Sequence, residues 1–158
     1  MAAIKQAVLG LGANLGDPIQ QMIDARVALC ALSQVTGSRC SSMYLSSPVG
    51  YSEQPNFINC VLVLETYYSA QDLFKQMQRI EMSLGRIRIE DNQNAPRLID
   101  IDLLMFGDLT INLPDLIIPH PRMNQRLFVI EPLAELGINI QASPNCDFSD
   151  QVIARLAI

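Results

Sequence analysis

Two hydrophobic periods alternate along this chain up to Phe106, and their order limits the folds open to it. After Asp17 and Pro18, the residues Met22, Ala25, Leu29 and Leu32 recur at helical spacing. Asp17 is a good N-cap, and proline suits the first helical position. The same period returns in Leu73, Met77, Ile80 and Leu84. Ser69 with Asp72 resembles a capping box before that stripe, and Gly85 is a natural stop after it. Strand-like runs cover about residues 4–11, 38–45 and 57–65, and a fourth begins at Arg97 as RLIDIDLLMFG.

The order is strand, helix, strand, strand, helix, strand. It predicts an α+β fold with a ferredoxin-like βαββαβ core and an antiparallel sheet. Additional C-terminal elements follow. IPHPRMNQ reads as a proline-rich loop, LFVIEPLAEL as one short helix or two broken ones, and the last twenty residues are weakly patterned. The 158 residues, 49% hydrophobic and 17% charged, suit one domain over residues 1–158.

Composition removes several classes. No apolar run approaches the ~18 residues of a membrane span. The start, MAAIKQAVLGLGANLGD, lacks the basic leader and long apolar region of a signal peptide. Net charge is −5, against the basic face of a nucleic-acid binder. Cys30, Cys40, Cys60 and Cys146 form no CxxC pair, and His120 is the one histidine. Reduced, mostly buried thiols in a cytoplasmic protein are expected, not a zinc site.

The fourth strand carries the first chemical signal. Strand side chains alternate faces, so Asp100 and Asp102 point one way and Ile99, Ile101 and Leu103 the other. The strand has one greasy face for the core and one acidic face. Two like charges so close are unfavourable without a cation, and a hard divalent metal relieves them. A bare Asp-x-Asp is as often a solvated sheet face. Arg86, Arg88 and Arg97 flank it, however, as a polyphosphate would require.

Other candidates are weaker alone. Phe57 and Asn59 share strand parity with Val61 and Val63, and a ring beside a carboxamide could hold a flat heterocycle. They equally suit a core phenylalanine and a strand-end asparagine. Gln78 and Glu81 share a helix face at i and i+3. His120, between two prolines, is structural or exposed, or else hydrogen-bonds a phosphate. GLGANLG is not a phosphate-binding P-loop, because no Gly-Lys-Ser/Thr follows it.

Six segments in order resemble the 6-hydroxymethyl-7,8-dihydropterin pyrophosphokinase family of folate biosynthesis: GLGANLGD, YLSSPVG, QPNFINCV, RIEMSLGRIR, APRLIDIDLLMFG and IPHPRMNQRLFVIEPLAEL. The resemblance implies an enzyme, a diphosphotransferase moving pyrophosphate from ATP to the hydroxymethyl group of a reduced pterin and releasing AMP. By resemblance, Asp100 and Asp102 bind two Mg2+ ions, and Arg86 and Arg97 act near the phosphates. Gln78, Glu81, Arg88, Arg97, Leu103, His120 and Arg126 match ATP-binding positions. Phe57 and Phe128 match the rings that sandwich the pterin. Asn59 and the backbone around Ser46, Ser47 and Val49 match its hydrogen-bonding partners. The implied partners are ATP and the pterin, with no nucleic acid or membrane; oligomeric state stays open between monomer and weak homodimer.

The sequence departs from the family pattern in places. Gln93 and Asn94 stand before Ala95-Pro96-Arg97 where a basic residue and a tryptophan are usual, and Glu90 and Asp91 make that segment acidic. Ala13, Ser46 and Phe57 replace serine, threonine and tyrosine. The other readings of the same features are a non-catalytic ferredoxin-like ligand sensor and a different magnesium-dependent nucleotidyl transferase.

Overall fold

The computed structural model describes residues 3–48, 53–85 and 99–157. The expected order is present. β1 (Lys5–Ala13), α1 (Pro18–Cys30), β2 (Val35–Cys40), β3 (Tyr44–Ser46), β4 (Phe57–Thr66), α2 (Ala70–Ser83) and β5 (Asp100–Phe106) follow one another. β1 lies between β4 and β5, antiparallel to both, while β2 and β3 share the far edge of β4. This is the ferredoxin-like arrangement.

Both main helices start as their sequences direct. The Asp17 carboxylate accepts from Gln20 N at 3.1 Å, and the Ser69 hydroxyl accepts from Asp72 N at 3.1 Å. Met22, Ala25 and Leu29 of α1, with Leu73, Met77 and Ile80 of α2, are buried against one sheet face. That face supplies Leu9, Leu11, Leu62, Leu64, Ile101 and Leu103.

The single strand expected over 38–45 is two strands. Ser41 causes the break: its amide donates to Val61 O at 2.9 Å, and its hydroxyl accepts from Val61 N at 2.9 Å. The side chain thus satisfies a ladder donor that backbone would otherwise meet. The next amide, Ser42 N, turns instead to Glu135 Oε2 at 2.7 Å. The thiols also differ from expectation, since only Cys60 is buried and the other three are partly exposed.

LFVIEPLAEL forms one helix, α3 (Leu127–Glu135), despite Pro132 within it. It covers part of the other sheet face, where Val8, Val61, Val63 and Leu104 pack with Val129 and Leu133. The acidic face of β5 is therefore shared between a cavity and a second, smaller core. Three short strands complete the chain. β6 (Ile111–Leu113) and β7 (Leu116–Ile118) form a hairpin, and β8 (Ile153–Arg155) pairs with β3. Strands of three residues show no readable alternation, so the sequence pattern missed them.

The C-terminal end of α3 is tied down by polar bonds. Tyr44 donates its hydroxyl to Glu135 Oε1 at 2.6 Å, Arg155 lies 3.7 Å from the same oxygen, and Arg39 donates to Leu136 O at 2.9 Å. Burial would raise the Glu135 carboxyl, but the bonds from Tyr44 and Ser42, with the Arg155 charge, hold it below its ordinary value. Burial and that same carboxylate push Tyr44 up to about 12.

Tyr44→Phe should lower stability at neutral pH by about 1–2 kcal/mol, measured by denaturant unfolding. The signs fix its pH dependence. A carboxyl lowered in the fold stabilises above its ordinary value of 4.5, and that contribution fades as pH falls through the lowered value. A phenol raised from 10.0 to about 12 stabilises below 10.0 and loses the contribution as pH rises through about 12. The gap between wild type and variant should be widest between these limits and close at both ends.

Candidate active site

The site begins with the register of β1. On one side Gly10 pairs with Asp102 and Gly12 with Asp100. On the other, Gly10 pairs with Val61 and Gly12 with Asn59. Paired residues project on the same side of a sheet. The two carboxylates and the Asn59 carboxamide thus stand on one face, across a strip of bare backbone. Asp100 and Asn59 are two strand spacings apart, about 10 Å. A cavity of about 570 Å³ opens above this strip.

The acidic side is fixed by two backbone devices. β5 ends its sheet, so its outer amides need partners. Ile101 N, between the two aspartates, donates to Glu81 Oε2 at 2.8 Å, and Glu81 is buried in α2. The second device is a bulge. Val8 pairs with Met105 but Leu9 with Leu103, leaving Leu104 as an extra residue. The Leu104 carbonyl accepts from His120 N at 2.9 Å, bringing the proline loop to the cavity.

His120 then presents a defined face. Its Nδ1 accepts from Arg122 N at 3.2 Å. Burial, with the Arg126 charge, lowers its pKa to about 4, so the ring is neutral near pH 7. A neutral imidazole that accepts at Nδ1 carries its proton on Nε2, a donor for an incoming oxygen.

Across β1 the lining is flat and apolar with a few polar groups. Asn59 Nδ2 lies 2.6 Å from Ser46 Oγ, and both residues are buried. Asn14, also buried, donates to Gln54 Oε1 at 2.8 Å and Pro55 O at 3.0 Å, anchoring the segment that enters β4 at Phe57. Phe57 and Phe128 both line the cavity. The Arg126 guanidinium sits 5.5 Å from the Phe128 ring centre and 4.0 Å from Asp102 Oδ2, so one cation touches both halves.

The structure brings most sequence-predicted residues together. Gln78, Glu81, Asp100, Asp102, Leu103, His120 and Arg126 line the nucleotide-expected side; Ser47, Phe57, Asn59 and Phe128 line the other. Ser46 stands behind Asn59. Arg86, Arg88, Arg97 and Val49 lie outside the described residues, as does the acidic segment around Glu90 and Asp91. The sequence reading missed Gly10 and Gly12, whose shared parity on β1 was the available signal. It also missed Phe74, Arg122 and the tip of the β6–β7 hairpin, Pro114 to Ile117, which closes one wall.

Among the described residues no cluster of three or more His, Cys, Asp or Glu could hold a metal. Two carboxylates nevertheless fit magnesium, which takes one or two protein oxygens and completes its shell with water and phosphate. The described lining carries the acids Glu81, Asp100, Asp102 and Asp115 against Arg122 and Arg126. A polyanion entering here needs cations with it.

The fold and cavity define a ferredoxin-like α+β protein with a two-part cavity, acidic at one end and aromatic at the other. Comparison with known proteins makes this specific. Residues 8–138 match the family described as 7,8-dihydro-6-hydroxymethylpterin-pyrophosphokinase, HPPK. The 2-amino-4-hydroxy-6-hydroxymethyldihydropteridine pyrophosphokinase of Pseudomonas aeruginosa is 37% identical over 138 residues, covering 87% of this chain and 84% of that protein. Its namesake in Bacillus subtilis is 37% identical over 145 residues, covering 92% and 86%. The wild-type HPPK-DHPS structure of Plasmodium falciparum shares the fold, with a TM-score of 0.67 at 14% identity; the match covers 92% of this chain and 44% of that one. The chain belongs to the 7,8-dihydro-6-hydroxymethylpterin-pyrophosphokinase family.

The bond from Ile101 to Glu81 can be separated from any ligand contact. Glu81→Ala should cost about 1–3 kcal/mol, since a buried amide loses its acceptor. Glu81→Gln keeps an acceptor oxygen and should recover most of that loss. Hydrogen exchange at the Ile101 amide should accelerate in the alanine variant and stay slow in the glutamine variant.

Proposed function

We propose that this single-domain protein, residues 1–158, binds ATP and 6-hydroxymethyl-7,8-dihydropterin together in the cavity and transfers pyrophosphate to the pterin hydroxymethyl group. AMP leaves, and the product serves folate biosynthesis. The observation that carries this is the pairing of Gly12 with Asp100 on one side and Asn59 on the other. It holds a carboxylate and a carboxamide side by side at a fixed distance, which supports a triphosphate site next to a heterocycle site.

Each half has an assigned task. Phe57 and Phe128 hold the pterin ring between them, and Asn59 with the backbone at Ser46, Ser47 and Val49 reads its polar edge. Asp100 and Asp102 would hold two magnesium ions, which when bound would supply the positive charge that neutralises the phosphates. Gln78, Glu81, Arg88, Leu103, His120 and Arg126 seat the nucleotide, His120 through its Nε2 proton. By resemblance to the family, Arg86 and Arg97 act near the phosphates.

The pterin hydroxyl oxygen attacks the β-phosphorus. The bond from that phosphorus to the oxygen bridging it to the α-phosphorus breaks, and the electron pair leaves with AMP. Such a transfer is mostly positioning and charge neutralisation, so it needs no activated protein nucleophile. Arg126, beside both Asp102 and Phe128, links the two substrates' halves. No helix among the described residues is long and apolar enough to cross a membrane. We assign the enzyme to the cytoplasm as a monomer or weak homodimer.

The direct test supplies magnesium, ATP and the reduced pterin, and measures AMP. AMP should form in step with pterin diphosphate; its absence at saturating substrates overturns the reading. Asp100→Ala or Asp102→Ala should lower turnover at least about a thousandfold. The melting temperature should hold or rise, because one of two adjacent like charges is gone. A large fall in melting temperature would mark these aspartates as structural instead.

A further inference from the structure

We propose that Gly12 is a positioning residue for the pterin, because its missing β-carbon lets the Asn59 carboxamide lie across β1 at the cavity floor. This rests on the pterin assignment above and adds a determinant to it. Gly12 sits inside a β-strand and pairs on both sides, with Asn59 and with Asp100. Its φ is not in the left-handed region, so the backbone itself does not demand glycine. Glycine inside a strand weakens it, and its usual compensation is the close approach of another group.

Here that group is Asn59. A β-carbon on Gly12 would lie 2.9 Å from Asn59 Oδ1, closer than real contacts allow. Asn59 has little room to yield. It is 5% exposed, and its Nδ2 is held 2.6 Å from Ser46 Oγ, in a residue only 4% exposed. Any added methyl group must turn the carboxamide away from its place or break the bond to Ser46. Both disturb the one buried amide that faces the heterocycle's edge.

Two other glycines in the sheet calibrate the argument. At Gly37 an added β-carbon would also meet an oxygen, Glu65 Oε2, at 2.9 Å. Glu65 is exposed and flexible, so it swings aside at little cost. At Gly10 the nearest atom is Leu104 Cδ1 at 3.3 Å, an apolar contact that can give slightly. Only at Gly12 is the obstructed group both immobile and part of the ligand site.

The test compares Gly12→Ala, Gly37→Ala, Asn59→Ala and the double variant Gly12→Ala/Asn59→Ala. Calorimetry measures 6-hydroxymethylpterin binding in the presence of magnesium and a non-hydrolysable ATP analogue, and binding of the analogue alone. Gly12→Ala should weaken pterin binding about tenfold to a hundredfold, the range for a buried polar group left unpaired. Nucleotide binding should be unchanged, and Gly37→Ala should match wild type for both ligands. The double variant should bind pterin no more weakly than Asn59→Ala, because the obstruction acts only through Asn59.

Wild-type pterin affinity in Gly12→Ala, with affinity lost in Asn59→Ala, overturns the proposal and leaves the pterin site standing. Additive losses in the double variant also overturn it. Should Gly12→Ala not fold, the double variant, relieved of the clash, still decides by comparison with Asn59→Ala. If wild type binds the nucleotide analogue but no pterin, the pterin assignment fails, and the proposal with it.

Discussion

The antiparallel ladders on the two sides of β1 decide where the carboxylates and the carboxamide of this site stand. They hold Asp100 and Asp102 on one flank and Asn59 on the other, all facing the same way. Side-chain facing in a sheet has a period of two, so a slip of one residue would turn the whole set into the opposite layer. That layer is the core under α1 and α2, where Leu9, Leu11, Leu62 and Ile101 are almost fully buried. The hydrophobic core therefore enforces the register, and the register places the site. Functional geometry here is inherited from packing energy, which is large, not from the few polar bonds at the site, which are small.

Charge supplies the second constraint. Asp100 and Asp102 are near neighbours of like sign, and the Arg126 guanidinium lies 4.0 Å from one of them. That cation also faces the Phe128 ring. If the proposed magnesium ions and triphosphate bind here, the carboxylates would gain stronger cations and the arginine would gain phosphate oxygens. Such an exchange would leave neither Asp102 nor Arg126 without an opposite charge. A buried, permanently satisfied ion pair would resist that exchange.

Much of this was legible in the sequence because the long elements obey simple periods. The helical stripes, the Asp17 and Ser69 caps and the facing of Asp100 and Asp102 need only local rules. The split of the second strand was not legible, since it depends on Ser41 meeting Val61 and on Ser42 meeting Glu135, far along the chain. β8 was hidden for the same reason: three residues acquire strand form only by pairing with β3. The motif GLGANLG was readable as a turn, but not as a floor. Its glycines gain meaning only from the side chains that the neighbouring strands bring over them. His120 followed the same rule, because the bulge residue that holds its backbone lies three elements earlier.

That bulge shows how one strand serves two layers. Through Leu103, β5 alternates strictly, giving Ile101 and Leu103 to the main core and the aspartates to the cavity. Continued alternation would carry Phe106 to the cavity side. The extra residue at Leu104 resets the phase, so Phe106 returns to the main core while Leu104 joins Val8, Val61 and Val63 beneath α3. The same reset frees the Leu104 carbonyl from the ladder to receive His120 N. A single inserted residue thus closes the second core and delivers the histidine loop to the site. A regular strand would satisfy its own ladder and could do neither.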